Sequence, residues 1–180
     1  MKYMFASDLH GSAYYCEKMF EAYEREKAEK LILLGDLLYH GPRNDLPRDY
    51  APKKVIPMLN AHKKEILAVR GNCDAEVDQM VLDFPIMADY SVLNLDGYIF
   101  YASHGHVYHE DHLPPLQDGE IFIQGHTHIL KAEEKDGHVI LNPGSVSIPK
   151  ENNPHTYAIL EHGIFTIRTL EGDKVKEYKL

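Results

Sequence analysis

Five short stretches of the chain gather the residue types that hold metal ions. They are Asp8-Leu9-His10-Gly11, Gly35-Asp36, Gly71-Asn72-Cys73-Asp74, His104-Gly105-His106 and Gly125-His126-Thr127-His128. In Asp-x-His and His-x-His an extended backbone turns both side chains of the pair toward one centre. Beyond His10 the set offers three imidazoles, two carboxylates and an amide. That is too many ligands for one tetrahedral zinc, and it suits two borderline ions such as Mn, Fe, Co, Ni or Zn. A carboxylate can bridge two cations roughly 3.5–4 Å apart, the separation used in two-metal hydrolysis. Asp36, central in the order of the motifs, is the candidate bridge. Each motif alone has an ordinary structural explanation, such as an Asx turn for Gly-Asn-Cys-Asp. The argument rests on their conjunction.

The elements that must position these residues follow from hydropathy. Residues 2–6 read as a buried strand ending at Ser7-Asp8. Residues 13–28 carry Cys16, Met19, Phe20 and Tyr23 at helical spacing. A second strand at 31–34 stops at Gly35-Asp36, and a loop runs on to about residue 50. Residues 51–62 read as a helix with Pro52 near its start and a break or kink at Pro57. A third strand at 66–69 stops at Arg70-Gly71-Asn72. Beyond residue 85 the chain becomes strand-rich, at about 90–95, 98–103, 121–124, 138–142, 156–161, 164–169 and 173–179. Asp96-Gly97, Asp136-Gly137, His162-Gly163 and Gly172-Asp173 mark hairpin turns. Every ligand motif thus falls at a strand end, where open α/β sheets build their sites. The expected architecture is one α/β domain over 1–180, with two packed sheets and flanking helices and without a separate cap.

Composition narrows the function further. The 180 residues carry a net charge of −9 with no Lys/Arg cluster, which argues against stable nucleic-acid binding. A phosphate-bearing substrate would have to be drawn in by bound cations. No stretch approaches the ~18 apolar residues of a membrane span, and the residues before Asp8 are too polar for a signal-peptide core. Cys16 and Cys73 have no disulfide or thiolate-zinc spacing. A cytoplasmic protein is expected. Of twelve histidines, six lie between His104 and His128. His62, His138, His155 and His162 read as surface residues, His109 and His112 as solvent-facing, and His106 as a pocket residue.

The series Asp8-x-His10, Gly35-Asp36, Gly71-Asn72-x-Asp74, His104 and Gly125-His126-x-His128 resembles the calcineurin-like metallophosphoesterase superfamily. Gly71-Asn72-Cys73-Asp74, Asn142-Pro143-Gly144-Ser145 and the short chain resemble its small YfcE-like phosphodiesterase subgroup. The resemblance implies a four-layer α/β/β/α sandwich of two mixed sheets flanked by helices, the metallo-dependent phosphatase-like fold. One metal would take Asp8, His10, Asp36 and His128, the other Asp36, Asn72, His104 and His126. A hydroxide between the ions would attack a phosphodiester, with Asn72 and the metals holding the phosphoryl oxygens. Mn is the foremost candidate, with Ni, Co, Fe or Zn as alternatives. The subgroup also suggests a homodimer or homotetramer.

Two departures from the superfamily bear on chemistry. Cys73 stands where a histidine would protonate the leaving group, and His40 stands where phosphoprotein phosphatases carry an arginine that grips a monoester dianion. Arg43 or Arg70 could replace that clamp in part, while Asp74, His40 and His106 join Asn72 and Cys73 as candidate catalytic residues. Specificity then falls to the loops at about 37–50 and 105–118. A small-phosphodiester hydrolase is the leading reading. The alternatives are a phosphomonoesterase acting on a nucleotide or phosphoprotein, and a non-catalytic interaction scaffold of the kind seen in a retromer subunit. The complete ligand set, His10 included, argues against the scaffold.

Overall fold

The central strands are apolar on both faces, so both faces must be covered. In the computed structural model, which describes residues 1–180, β1 (Tyr3–Ala6) and β2 (Lys30–Leu33) pair in parallel. Met4, Ala6, Leu31 and Leu33 face one core, and Tyr3, Phe5 and Ile32 face another. The first core is closed by α1 (Ala13–Glu26), which buries Cys16, Met19, Phe20 and Tyr23, and by α2 (Pro52–Ala61), which buries Val55 and Leu59. Ser12 caps α1 by accepting the Tyr15 N–H. Helix α2 runs through Pro57, whose exposed ring forfeits one backbone hydrogen bond at the solvent side.

The second core lies between two sheets. β3 (Ile66–Ala68) joins β2 in parallel, and after the short helix α3 (Glu76–Gln79) come β4 (Tyr90–Leu95), β5 (Tyr98–Ser103) and β6 (Ile121–Ile123). They are followed by β7 (Lys131–Lys135), β8 (His138–Asn142), β9 (Thr156–Glu161), β10 (Ile164–Thr169) and β11 (Lys174–Lys179). The first sheet has the order β11-β10-β9-β1-β2-β3 and the second β4-β5-β6-β8-β7. Both are mixed: β1, β2 and β3 are parallel in one, and β5, β6 and β8 in the other. Between the sheets Phe5 packs on Phe100 and Phe165, with ring centroids 5.8 and 5.7 Å apart.

The architecture is the expected pair of packed mixed sheets flanked by helices. The segment after β5 lies over the outer face of the second sheet, where Lys131 and Lys135 of β7 pair with Glu110 and Asp111. Two elements exceed the sequence reading. β7 (Lys-Ala-Glu-Glu-Lys) turns only Ala132 into the core, so its charge hid it, and α3 is a single turn. The parallel strands all end toward the same junction: β1, β2 and β3 lead into Asp8, Asp36 and Asn72, and β5 and β6 into His104, His126 and His128.

Phe100 is fully buried at the sheet interface. Phe100→Ala should lower stability by about 3–5 kcal/mol, read from urea unfolding. A loss below about 1 kcal/mol would show that the two sheets do not pack around this ring.

Candidate metal centre

The chain turns sharply at five of the seven candidate ligands. Asp8, His10, Asp36, His126 and His128 all have positive φ, between 49° and 65°. Such left-handed conformations cost non-glycine residues roughly 1–2 kcal/mol and concentrate at functional sites. Side-by-side loops hold the turns. The amides of Asp8, His10 and Gly11 donate to the carbonyls of Gly35, Asp36 and Leu37, which continues the β1–β2 ladder into the loops. Gly35 and Gly71 are needed for contact between neighbouring loops. A Cβ on Gly35 would lie 2.5 Å from the Gly71 amide nitrogen, and one on Gly71 would collide with the Asp36 carboxylate.

The ligand side chains converge on a buried centre. Asp8, His10 and His104 are fully buried, and Asp36 and His128 nearly so. His10 Nε2 lies 3.3 Å from His128 Nε2, and His128 Nε2 lies 3.2 Å from Asp8 Oδ1. Asp36 Oδ2 lies 3.6 Å from His10 Nε2 and 3.4 Å from His104 Nε2. His104 Nε2 in turn is 3.1 Å from Asn72 Oδ1 and 3.2 Å from His126 Nδ1. Two groups therefore meet at Asp36: Asp8, His10 and His128 on one side, and Asn72, His104 and His126 on the other.

Hydrogen bonds fix which ring nitrogen faces inward. The Nδ1 atoms of His10, His104 and His128 lie 2.8, 2.6 and 2.7 Å from the carbonyls of Tyr39, Leu34 and Ile148. Each Nδ1–H donates to its carbonyl, so Nε2 faces the centre and is free to offer its lone pair to an ion once that nitrogen is deprotonated. Lone pairs 3.3 Å apart, beside a buried Asp8 Oδ1 that receives no hydrogen bond, call for a shared cation. These donors fit divalent ions of borderline softness.

In the ion-free site the two carboxylates draw protons onto this centre, and a bound cation would take their place. Burial would push the Asp8 carboxyl up, yet the imidazoles of His10, His128 and His104 hold it well below the usual carboxylate range. Burial likewise opposes ionisation of Asp36, and His104 outweighs it. His104 itself is disfavoured as a cation by burial, but Asp36 and Asp8 raise it to about 9. His126 is driven down to about 4 by burial and by the charge of His104, so its ring is neutral and its lone pair free near pH 7.

The remaining predicted residues divide. Asp74 is buried and accepts the amides of Asp36, Leu37 and Gly71 at 2.7–2.8 Å, so it braces the loops instead of facing substrate. Cys73 donates its amide to Asp36 Oδ1, and its Sγ lies within 4.8 Å of ligand atoms of His10 and Asp36. Arg70 is engaged with Asp89, its Nη2 2.6 Å from Asp89 Oδ1, and is absent from the cleft over the metal ligands. Arg43 does line that cleft. His40 packs edge-on against Tyr39 and Tyr50, and His106 against His104; neither lines the cleft. His109 is half-buried and His112 exposed. His62 and His155 are not free surface residues, since they stack on Phe20 and Tyr15 at 4.2 and 4.0 Å, and His155 Nδ1 also bonds the Val146 carbonyl.

The sequence reading missed several contributors. The cleft, of about 420 Å³, is also lined by Asn44, Thr127 and Lys150. Ser147 and Ser145 both donate hydroxyl hydrogen bonds to the Asp8 carbonyl, and Asn142 donates to the Gly125 carbonyl. The Asn-Pro-Gly-Ser stretch thus anchors the Asp8 turn and the Gly125 turn together. Its serines and its position after a buried strand were the available signal; nothing in the spacing pointed to Lys150.

Residues 1–163 match the family model for the calcineurin-like phosphoesterase superfamily domain. The chain is 43% identical over 175 residues to phosphodiesterase YfcE of Escherichia coli (strain K12), covering 97% of this chain and 95% of that one. A solved structure of the phosphoesterase Yfce from E. coli matches with a TM-score of 0.97 at 42% identity, covering 99% of each chain. Phosphodiesterase MJ0936 of Methanocaldococcus jannaschii is 28% identical over 153 residues, 80% of this chain and 83% of that one. With its ligand motifs gathered at the junction of two packed sheets, the chain belongs to the calcineurin-like phosphoesterase superfamily.

Proposed function

We propose that the chain is a metal-dependent phosphodiesterase acting on small phosphodiesters. The observation that carries the reading is the place of Asp36 Oδ2, 3.6 Å from His10 on one side and 3.4 Å from His104 on the other. Asp8, His10, Asp36 and His128 would hold one ion, and Asp36, Asn72, His104 and His126 a second. When bound, the two ions supply positive charge to the phosphoryl oxygens and lower the pKa of water toward neutrality. Asn72, exposed at the cleft with its Oδ1 facing His104, would hold a phosphoryl oxygen through its amide. Arg43 and Lys150 stand on the cleft wall in a chain of net charge −9, where they would orient the anion. The likeness to a named phosphodiesterase over nearly the full chain supports the same reaction.

The proposal extends to Mn as the metal, a single domain over 1–180 without a cap, a cytoplasmic location and a homodimer or homotetramer. No helix is long and apolar enough to cross a membrane. Metal analysis of the purified protein and light scattering test the metal and the assembly.

Asp36→Asn should remove both metals and lower turnover by several orders of magnitude, whereas His128→Ala should weaken one site. Metal content and the rate on bis(4-nitrophenyl) phosphate measure this. Two retained ions with near-native turnover in Asp36→Asn would refute the bridge.

The class of ester is testable on the same enzyme. A monoester dianion needs an additional fixed cation, ideally a bidentate arginine. His40 occupies that place, and Arg70 is committed to Asp89. An aryl phosphodiester should therefore show the higher kcat/KM than the matching monoester near neutral pH. The reverse order would make Arg43 and Lys150 the clamp of a monoesterase.

Burial and the nearby Asp36 push the Cys73 thiol up from its usual range, so it stays protonated and donates weakly. A positioned acid commonly contributes about 10²–10⁴ in rate. Cys73→His should accelerate diesters with poor leaving groups more than activated ones, read as kcat across leaving groups of graded pKa. A native rate that is insensitive to leaving-group pKa, with chemistry limiting, would mean another residue already supplies the proton.

A further inference from the structure

Beside the metal ligands runs a second depression of about 370 Å³, and its character is different. Where the cleft has no hydrophobic lining, this groove is walled by Tyr39, Tyr50, Ile56, Cys73, Val77 and Val81. It lies between the loop after β2, helix α2 and the turn of α3. Val77 is 65% exposed, and Tyr39 and Val81 are each 42% exposed, so large apolar side chains stand open to water around it. The carboxylate in its lining, Asp78, is occupied in accepting the Ala75 amide at 2.9 Å. The groove meets the metal centre at Cys73, whose Sγ lies within 4.8 Å of ligand atoms of His10 and Asp36.

We infer that this groove binds one ester arm of the substrate, and that the arm is an aromatic ring system such as an aryl group or nucleobase. This rests on the phosphodiesterase reading and adds the substrate class. A diester whose phosphoryl group sits over the metal centre beside Asn72 has two arms, and one passing Cys73 enters a slot lined by two tyrosine rings. Small-molecule sites combine a few polar anchors with apolar walls in this manner, and aromatic rings gain by packing edge-on or offset against such residues. A volume near 370 Å³ accommodates one ring system.

The test uses the metal-loaded full chain and two non-hydrolysable anions, diphenylphosphinate and dimethylphosphinate, with affinities measured by calorimetry. The native protein should bind the diphenyl compound more tightly. The double variant Val77→Ser/Val81→Ser changes exposed side chains at the rim and leaves the metal ligands untouched. It should weaken diphenylphosphinate about tenfold, the scale of two lost methylene-sized contacts. Dimethylphosphinate should bind as before, and kcat/KM for bis(4-nitrophenyl) phosphate should fall in parallel. Affinities that are unchanged, or weakened equally for both anions, would overturn the assignment. A change in oligomeric mass with both affinities intact would also overturn it and give the groove to a second copy of the chain. Failure of the underlying reading looks different: native protein with bound metal that turns over no diester, whatever the phosphinate ratio.

Discussion

The Asp74 carboxylate is the tie on which the centre depends. It gathers the amides of Asp36, Leu37 and Gly71 and so locks the loop after β2 to the loop after β3. Burial pushes this carboxyl up, opposed by the same backbone amides and reinforced by Asp36. Each amide it accepts would otherwise be a buried donor without a partner. With the loops locked, Asp36 takes its left-handed turn against a glycine and delivers one oxygen to the Cys73 amide and the other to the ligand histidines. The other sheet meets this arrangement through His104, whose ring reaches back to the Leu34 carbonyl.

Strain and support are matched residue by residue. Five candidate ligands sit in left-handed backbone, and hydrogen bonds from neighbouring loops hold them there. The Asp8 carbonyl takes two serine hydroxyls and its Oδ2 the His126 amide, while His10 and His128 are each pinned at Nδ1. The ligand atoms are thereby preorganised, so binding an ion requires little rearrangement.

Much of this was legible in the sequence because buried strands read as unbroken apolar runs and their ends as sudden polar residues. The run Lys-Leu-Ile-Leu-Leu followed by Gly-Asp is one case, and Ile-Phe-Ile-Gln followed by Gly-His is another. What escaped was set by folding rather than by spacing. Lys150 reaches the cleft because its amide bonds the His128 carbonyl across a turn. Arg70 is drawn away by Asp89, 19 positions later. β7 was hidden because four of its five residues are charged, which is tolerable only at a sheet edge. His155 looked like a surface residue, but a neighbour distant in sequence, Tyr15, gives its ring a place to stack.

Those charged margins have a bearing on how the chain behaves in crowded solution. A sheet edge is a template for another chain's backbone unless charge or brevity blunts it. β7 carries two lysines and two glutamates, β11 three lysines and one glutamate, and β3 is only three residues long. The remaining margin, β4, is six residues long with Tyr90 and Val92 open to water. Intermolecular strand addition, and with it the route to aggregation, is thus confined to a single border of the molecule, on the sheet that carries His104, His126 and His128.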